Sequence, residues 1–351
     1  MRIVLVVLMS LIITKLFLFA ENLNQELTDE RSHAVVFMYH RFGDDRYPST
    51  NIKLKQFEQQ LDYIEKNGFN VWPLSKIVRY LLEGKKLPEK TVALTIDDAY
   101  ITTYTEGYPR LRAEKFPFTV FVSTHAVDTG SKNYMSWEQM REMALHGAEF
   151  ANHSLTHPFL LPRSSETKGE WKSRVVREIE EAQRKLHQEL GSSMNENPKL
   201  FSYPFGEYNQ NIIKILKELG YIGITQTSGV ISSDTDLRTL PRFAMAEAFA
   251  DIDDFILKIN TLPLPIESVS PIEPIVTRNN PPILRLKLKR AIKNLQCFIS
   301  SGERVDIEWI SEREVQIEAN SPLKAPRNRY TCTAPAKDGR WYWYSNLWII
   351  K

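Results

Sequence analysis

The chain lacks an excess of charge of either sign. Its 45 Lys and Arg stand against 43 Asp and Glu, a formal charge of +2. That near-balance excludes a protein held to a polyanion such as nucleic acid, which needs many unmatched cations. Cysteine is scarce: Cys297 and Cys332 are the only two, both late in the chain. In a reducing cytosol they read as two buried thiols, in an oxidising compartment as a disulfide. There is no internal repeat, which excludes a solenoid array. What is present, 42% hydrophobic and 25% charged residues, is the composition of an ordinary soluble globular protein, and 351 residues suffice for one large domain and a small one.

The first residues, "MRIVLVVLMSLIITKLFLFA", differ from the rest. Arg2 supplies a positive start, Ile3 to Thr14 an apolar run, and Ala20 a small residue before an acidic one, the order of a secretory signal peptide. Lys15 within the run and the bulky Leu18 keep an uncleaved amino-terminal anchor as the rival reading for residues 1–20. Both readings export the body of the chain, and contact with a membrane follows only from the second.

Residues 34 to 260 alternate strand-like and helix-like segments. "AVVFMYH", "TVALTI", "FTVFVST", "EFANHS", "LFSYPFG" and "YIGIT" read as strands. Between them, Leu54, Phe57, Leu61 and Ile64 recur at helical spacing, Ser136 and Gly147 bound another helix, and a long charged helix runs from about Glu170 to Leu190. Such β-α units with apolar strands predict an α/β fold, a parallel sheet covered by helices: a (β/α) barrel, distorted or seven-stranded, or else an open doubly wound sheet. This domain is expected over residues 21–261. The proline-dense 262–282 reads as an extended linker, and 283–351 as a small C-terminal all-β sandwich. Trp309 after Cys297, and Tyr330 two before Cys332, give the residue order of an immunoglobulin-like sandwich. Trp341 and Trp343 alternate with Tyr342 and Tyr344 along the last strand, one face for the core and the other for packing against the barrel or stacking on sugar.

In parallel α/β folds functional groups gather beyond the carboxyl ends of strands. Asp97 and Asp98 close "TVALTI". Alone, two such acids read as a solvated turn. Brought to one cavity, their repulsion demands a cation or a proton. "NHSLTH" supplies ligands for a cation: His153 and His157 lie four apart after a strand, on one helical turn or in a tight loop. Two imidazoles and a carboxylate make a divalent-metal set of the Zn, Co, Ni or Fe(II) kind. His40 ends a third strand, and His125 follows a fourth.

These residues resemble the polysaccharide deacetylases with a NodB-homology domain, carbohydrate esterase family four, over roughly residues 34 to 260. The family's Thr-Phe-Asp-Asp-Gly motif is similar to "TIDDAY", its His-Ser/Thr-x-x-His to "HSLTH", and its aromatic-proline-aromatic-glycine loop to "SYPFGEYN". The resemblance implies a metal-dependent deacetylase in which Asp97 is the general base. Asp98, His153 and His157 would hold a divalent ion, Zn first, and Tyr203, Pro204, Phe205, Gly206 and Arg242 would face substrate and oxyanion. Ala99 replaces the usual glycine and Ser202 the arginine of many members, for which Arg242 is the substitute; no late histidine stands in the usual fifth-motif context. "FMYHRFGDD" is similar to the subfamily acting on poly-β-1,6-N-acetylglucosamine, which makes His40 the choice for general acid. The implied substrate is an acetylated polysaccharide outside the cytoplasm, of the poly-N-acetylglucosamine kind ahead of peptidoglycan, chitin oligomers or O-acetyl groups. A glycan-binding protein with a vestigial metal site is the alternative of another class.

Overall fold

The computed structural model describes residues 32–191, 194 and 197–351. The expected signal peptide or anchor of residues 1–20 lies outside the described residues. Among the described residues no helix is long and apolar enough to cross a membrane.

Eight strands build the main sheet: β1 (His33–Tyr39), β2 (Thr91–Asp97), β3 (Phe118–Val122), β4 (Ala148–Asn152), β5 (Lys199–Ser202), β6 (Tyr221–Ile224), β7 (Val230–Ser232) and β8 (Phe243–Ala244). Their order is β7-β1-β2-β3-β4-β5-β6, and Asn70–Val71 adds a short strand beside β2. Neighbours from β1 to β6 are parallel, and β7 runs antiparallel to β1. The stretch from Leu240 to Ala244 links β6 back to β1. Leu240 bridges Ile224 of β6, and β8 pairs in parallel with Phe37 and Met38 of β1. The domain is thus barrel-like, with its parallel strands ending on one side.

Among the described residues, eight α-helices flank the sheet: α1 (Leu54–Lys66), α2 (Leu74–Leu82), α3 (Tyr108–Ala113), α4 (Thr124–Asp128), α5 (Trp137–Ala144), α6 (Lys168–Leu190), α7 (Gln210–Leu219) and α8 (Ile252–Ile259). The apolar strands are explained by burial on both faces. Val35, Phe37 and Tyr39 of β1 pack with Phe57, Leu61 and Ile64 of α1, while Ala34 and Val36 pack with Leu74, Ile77 and Val78 of α2. Ser136 caps α5 by accepting from the Gln139 amide, as its sequence signature predicts.

The remainder is strand-rich: β9 (Leu262–Pro263), β10 (Ile266–Ser270), β11 (Ile275–Val276), β12 (Leu284–Leu288), β13 (Gln296–Ile299), β14 (Asp306–Ser311), β15 (Glu314–Glu318), β16 (Arg327–Pro335) and β17 (Trp341–Ile350). One sheet runs β9-β17-β16-β13 with β11 also on β17, the other β10-β12-β15-β14, around a shared core. The stretch 262–282 therefore differs from the extended linker expected of it, since β9, β10 and β11 lie within it. Its prolines are tolerated because these are edge strands, where a missing N–H breaks no ladder.

The immunoglobulin-like order is not reproduced. Cys297 and Cys332 form a disulfide, but they sit opposite each other on the adjacent strands β13 and β16 of one sheet instead of joining two sheets. Trp309 is 41% exposed, and the tryptophan buried among these C-terminal strands is Trp348, edge-on to Tyr330. The Tyr330 hydroxyl donates to the Pro282 carbonyl and accepts from the Ala319 amide. The two faces of β17 are divided as well: Tyr342 enters the C-terminal core, while Trp343 packs edge-on against Phe243 and donates to the Ser228 hydroxyl. Leu347 and Ile349 complete a core with Phe201, Tyr203, Ile212 and Trp171. The C-terminal strands are therefore seated on the barrel-like domain.

Candidate metal and catalytic centre

Six segments leave parallel strands on the same side, which is why residues far apart in sequence meet there. His40 follows β1, Asp98 follows β2, Ser123 follows β3, His153 follows β4, Tyr203 follows β5, and Gln226 comes two residues after β6. The turns that follow β2, β4 and β5 are abrupt. Asp98 (φ 74), Ala99 (φ 55), Ser154 (φ 69), His157 (φ 55) and Phe205 (φ 59) all hold left-handed backbone without being glycine. Such residues cost about 1–3 kcal/mol each and gather at functional sites. Ala99 thus adopts, at some cost, the conformation glycine takes freely. The two histidines lie in a tight loop, with no helical turn between them.

Asp98, His153 and His157 can each turn one ligand atom so that all lie within 4.8 Å of one another. Asp98 Oδ1 is 3.4 Å from His153 Nε2 and 3.5 Å from His157 Nε2. His153 Nδ1 sits 2.8 Å from the Ser202 carbonyl oxygen, which can only accept. The proton is thereby fixed on Nδ1, and the Nε2 lone pair points at the cluster. That Nε2 is fully buried and has no hydrogen-bond partner, the state of an atom built to bind something else. These three residues fit a divalent ion, with two nitrogens and one oxygen as donors.

Asp97 is treated differently. It is fully buried, and Arg242 grips it with two parallel bonds, Nη1 to Oδ1 at 2.7 Å and Nη2 to Oδ2 at 2.8 Å. The same guanidinium donates to the hydroxyls of Thr95 and Ser202 and to the Thr225 carbonyl. Arg242 reaches Asp97 because it lies in the closing stretch between β6 and β1. Ser202 is small, and its hydroxyl joins the same network. Arg242, grouped in the sequence with the substrate-facing residues, has no exposed side-chain surface and acts on Asp97 instead. Tyr203 is likewise buried, its hydroxyl donating to the Arg238 carbonyl. Pro204 and Gly206 are buried too, and Phe205 is the member of that loop that lines the cleft.

Charge accounts for the titration of the cluster. Burial opposes ionisation of Asp97, but Arg242 and His153 outweigh it and hold the carboxyl below its usual range. Asp98 is pulled well below that range against burial by His153, His40 and His157. Burial also disfavours a proton on His153, yet Asp97 and Asp98 raise its pKa. His157, pressed by burial and then by the His153 charge, falls to about 4. The positive charge that offsets the two adjacent carboxylates comes from Arg242 and from His153. His40 lines the same cleft, its pKa lowered mainly by burial, with Asp97 and Asp98 opposing.

The cleft, about 410 Å³, also takes in His125, Tyr100, Tyr134, Gln226 and Arg327. Tyr100 and Tyr134 stack at 5.3 Å, and Phe205 stacks on the exposed Phe159 at 4.2 Å while touching His157 edge-on. The sequence reading missed Tyr134, Phe159, Gln226 and Arg327. Phe159 had a weak signal, an exposed-type position beside Pro158. The other three carried none, because only folding brings their segments to the rim.

Asp97 gripped by Arg242, beside Asp98 and two loop histidines at the ends of parallel strands, is an arrangement suited to metal-assisted hydrolysis. Residues 84–224 match the family described as Polysaccharide deacetylase. That segment is a polysaccharide deacetylase domain of the NodB-like kind, similar to carbohydrate esterase family four. It is 24% identical over 245 residues to the poly-beta-1,6-N-acetyl-D-glucosamine N-deacetylase of Staphylococcus epidermidis, covering 64% of this chain and 82% of that one. The enzyme of the same name from Escherichia coli (strain K12) is 26% identical over 238 residues, covering 58% of this chain but 34% of that longer protein. Among solved structures, the Streptococcus pyogenes deacetylase PplD in complex with acetate superposes with a TM-score of 0.57 at 24% identity, over 65% of this chain and 98% of that one. That last likeness is one of fold.

Proposed function

We propose that this polysaccharide deacetylase removes N-acetyl groups from N-acetylhexosamine units of a polysaccharide outside the cytoplasm, of the poly-N-acetylglucosamine kind. The observation that carries the reading is the convergence of Asp98, His153 and His157 beside a buried carboxylate, Asp97, held by Arg242. Asp98, His153 and His157 would hold a divalent ion, Zn first for this donor set. Such an ion, when bound, lowers the pKa of a water from 15.7 to about 7.

The protein's own residues do the rest. Asp97, kept ionised by Arg242, takes a proton from the attacking water; its neighbour Asp98 is committed to the ligand set, so the adjacent acids divide two tasks. The fixed Nδ1 proton of His153 keeps its other nitrogen directed at the site. A backbone N–H of the Phe205 loop faces the oxyanion, a contribution of the kind that costs about 10²–10³ in rate when removed. His40 hands a proton to the leaving amine. Since burial lowers its pKa, that proton is not stored at rest; it is the one Asp97 has taken from the water, and its transfer restores both groups. Phe159 and Phe205 on one side, and Tyr100 and Tyr134 on the other, give the cleft aromatic walls suited to sugar rings. Residues 21–261 carry the metal ligands, Asp97 and His40, and the strands from 262 onward form a second domain. The export signal of the first residues and the disulfide both agree with work outside the cytoplasm.

The test is to incubate the purified protein with acetylated glycans of several linkages, with and without chelator, and to measure acetate and free amine together. Paired release from N-acetylglucosamine polymers, lost with chelator, is expected. Acetate without amine would move the activity to O-acetyl groups.

A further inference from the structure

Arg327 belongs to strand β16 of the C-terminal domain, a hundred residues beyond the matched family segment, yet it lines the catalytic cleft with Asp98 and His157. Its Nη1 donates to the Phe205 carbonyl, its guanidinium lies 5.8 Å over the Phe205 ring, and its Nε is 3.5 Å from Glu207. Phe205 is the left-handed residue whose ring touches His157 at 4.6 Å. Two positions along, on the same face of β16, Arg329 donates to the Gln226 carbonyl at 3.1 Å. Gln226 packs so closely on Gly206 that a Cβ there would stand 2.7 Å from its own. Two arginines of one strand therefore hold two adjacent loops of the barrel-like rim.

A left-handed phenylalanine persists only where its surroundings over-determine it. Within its own loop, the Gly206 amide donates back to the Tyr203 carbonyl at 2.8 Å, closing the turn on one side. The carbonyl of Phe205 itself is taken by Arg327. We propose, resting on the deacetylase reading above, that the C-terminal domain completes the active site and that Arg327 is a positioning residue. It holds the Phe205 backbone in its left-handed conformation, and with it the Phe205 N–H over the reacting acetyl group and the Phe205 ring against His157. The cleft is incomplete without this strand. Arg327 acts through Phe205 and takes no part in proton transfer.

The experiment compares Arg327→Ala and Arg327→Lys with the unaltered full chain. It measures kcat and KM on an N-acetylglucosamine oligomer and on a small aryl acetate, together with metal affinity and melting temperature. Arg327→Ala should lose about 10-fold or more in kcat on both substrates, as expected for displaced reacting groups. KM should move less than twofold, with metal affinity and melting temperature unchanged. Arg327→Lys should recover part of kcat, because an ammonium can still donate to the Phe205 carbonyl. Unchanged kcat in Arg327→Ala, or a rise in KM alone, would overturn the positioning role. The aryl acetate separates the two readings. If no glycan is turned over by the unaltered protein while aryl acetate hydrolysis still falls in Arg327→Ala, the glycan assignment fails and the positioning role stands.

Discussion

Removing Arg242 should cost more stability than removing it together with the carboxylate it holds. All five N–H groups of its guanidinium are used: two on Asp97 and one each on Thr95, Ser202 and Thr225. Neither Arg242 nor Asp97 has exposed side-chain surface, so water cannot replace a lost partner. Breaking a buried ion pair by deleting one member costs about 3–5 kcal/mol, because the other charge is left stranded. Arg242→Met should therefore lose about that much in urea unfolding at neutral pH. The double variant Arg242→Met, Asp97→Asn should recover part of it, a coupling of about 2 kcal/mol. The sign of the pH dependence follows. In the intact protein the Asp97 carboxyl is held low, so its stabilisation is present above the ordinary carboxylate value and is lost as pH falls through the lower, folded one. Without Arg242, burial pushes the carboxyl up with only His153 and His40 left to oppose it. The gap between Arg242→Met and the intact protein should then shrink as the medium is acidified and the stranded carboxylate takes a proton. A variant within about 1 kcal/mol of the intact protein at pH 7, or a gap that widens in acid, would refute the buried-pair account.

Three further outcomes follow. Asp98→Ala and His157→Ala should each abolish tight divalent-ion binding in equilibrium dialysis, whereas Asp97→Asn should bind the ion and lose about 10²–10⁴ in turnover; an unchanged rate in Asp97→Asn would remove it as base. Reducing the Cys297–Cys332 disulfide, whose partners are 35 residues apart, should cost about 4 kcal/mol in the C-terminal domain by chain entropy, read as a lower melting temperature. His33, buried at the start of β1, has its pKa lowered to about 4 by burial, then by Arg340. The unfolded chain binds that proton more readily, so stability is complete above pH 6.5 and declines as pH falls towards 4, by up to about 3 kcal/mol. His33→Gln should flatten that slope, and a slope left intact would place the titration elsewhere.

Much of the centre was legible because it is written locally. Each of Asp98, His153, Phe205 and His40 follows an apolar run, and a parallel sheet sends every such run to the same side. The helices were legible from their apolar period, as Phe57, Leu61 and Ile64 on α1 show. The stretch 262–282 was misjudged because proline signals a break in backbone donors and does not tell a linker from an edge strand. The cysteines were expected to pair if the chain is exported, but Trp309 between them lies at the surface. Residue order carries no information on whether two strands share a sheet or face each other across a core.

What the sequence determined by itself was the alternation of elements and the kinds of side chain that end them, since both depend on periodicity and on turns a few residues long. What only the tertiary structure decided was which distant groups share a cavity. Arg242 reaches Asp97 across 145 residues because the closing stretch lies between β6 and β1. Arg327 reaches Phe205 across 122 because a second domain seats its strand on the rim. Both contacts join charged groups to partners that no local pattern names. They exist because packing the apolar faces of the two domains fixes where the polar ones meet.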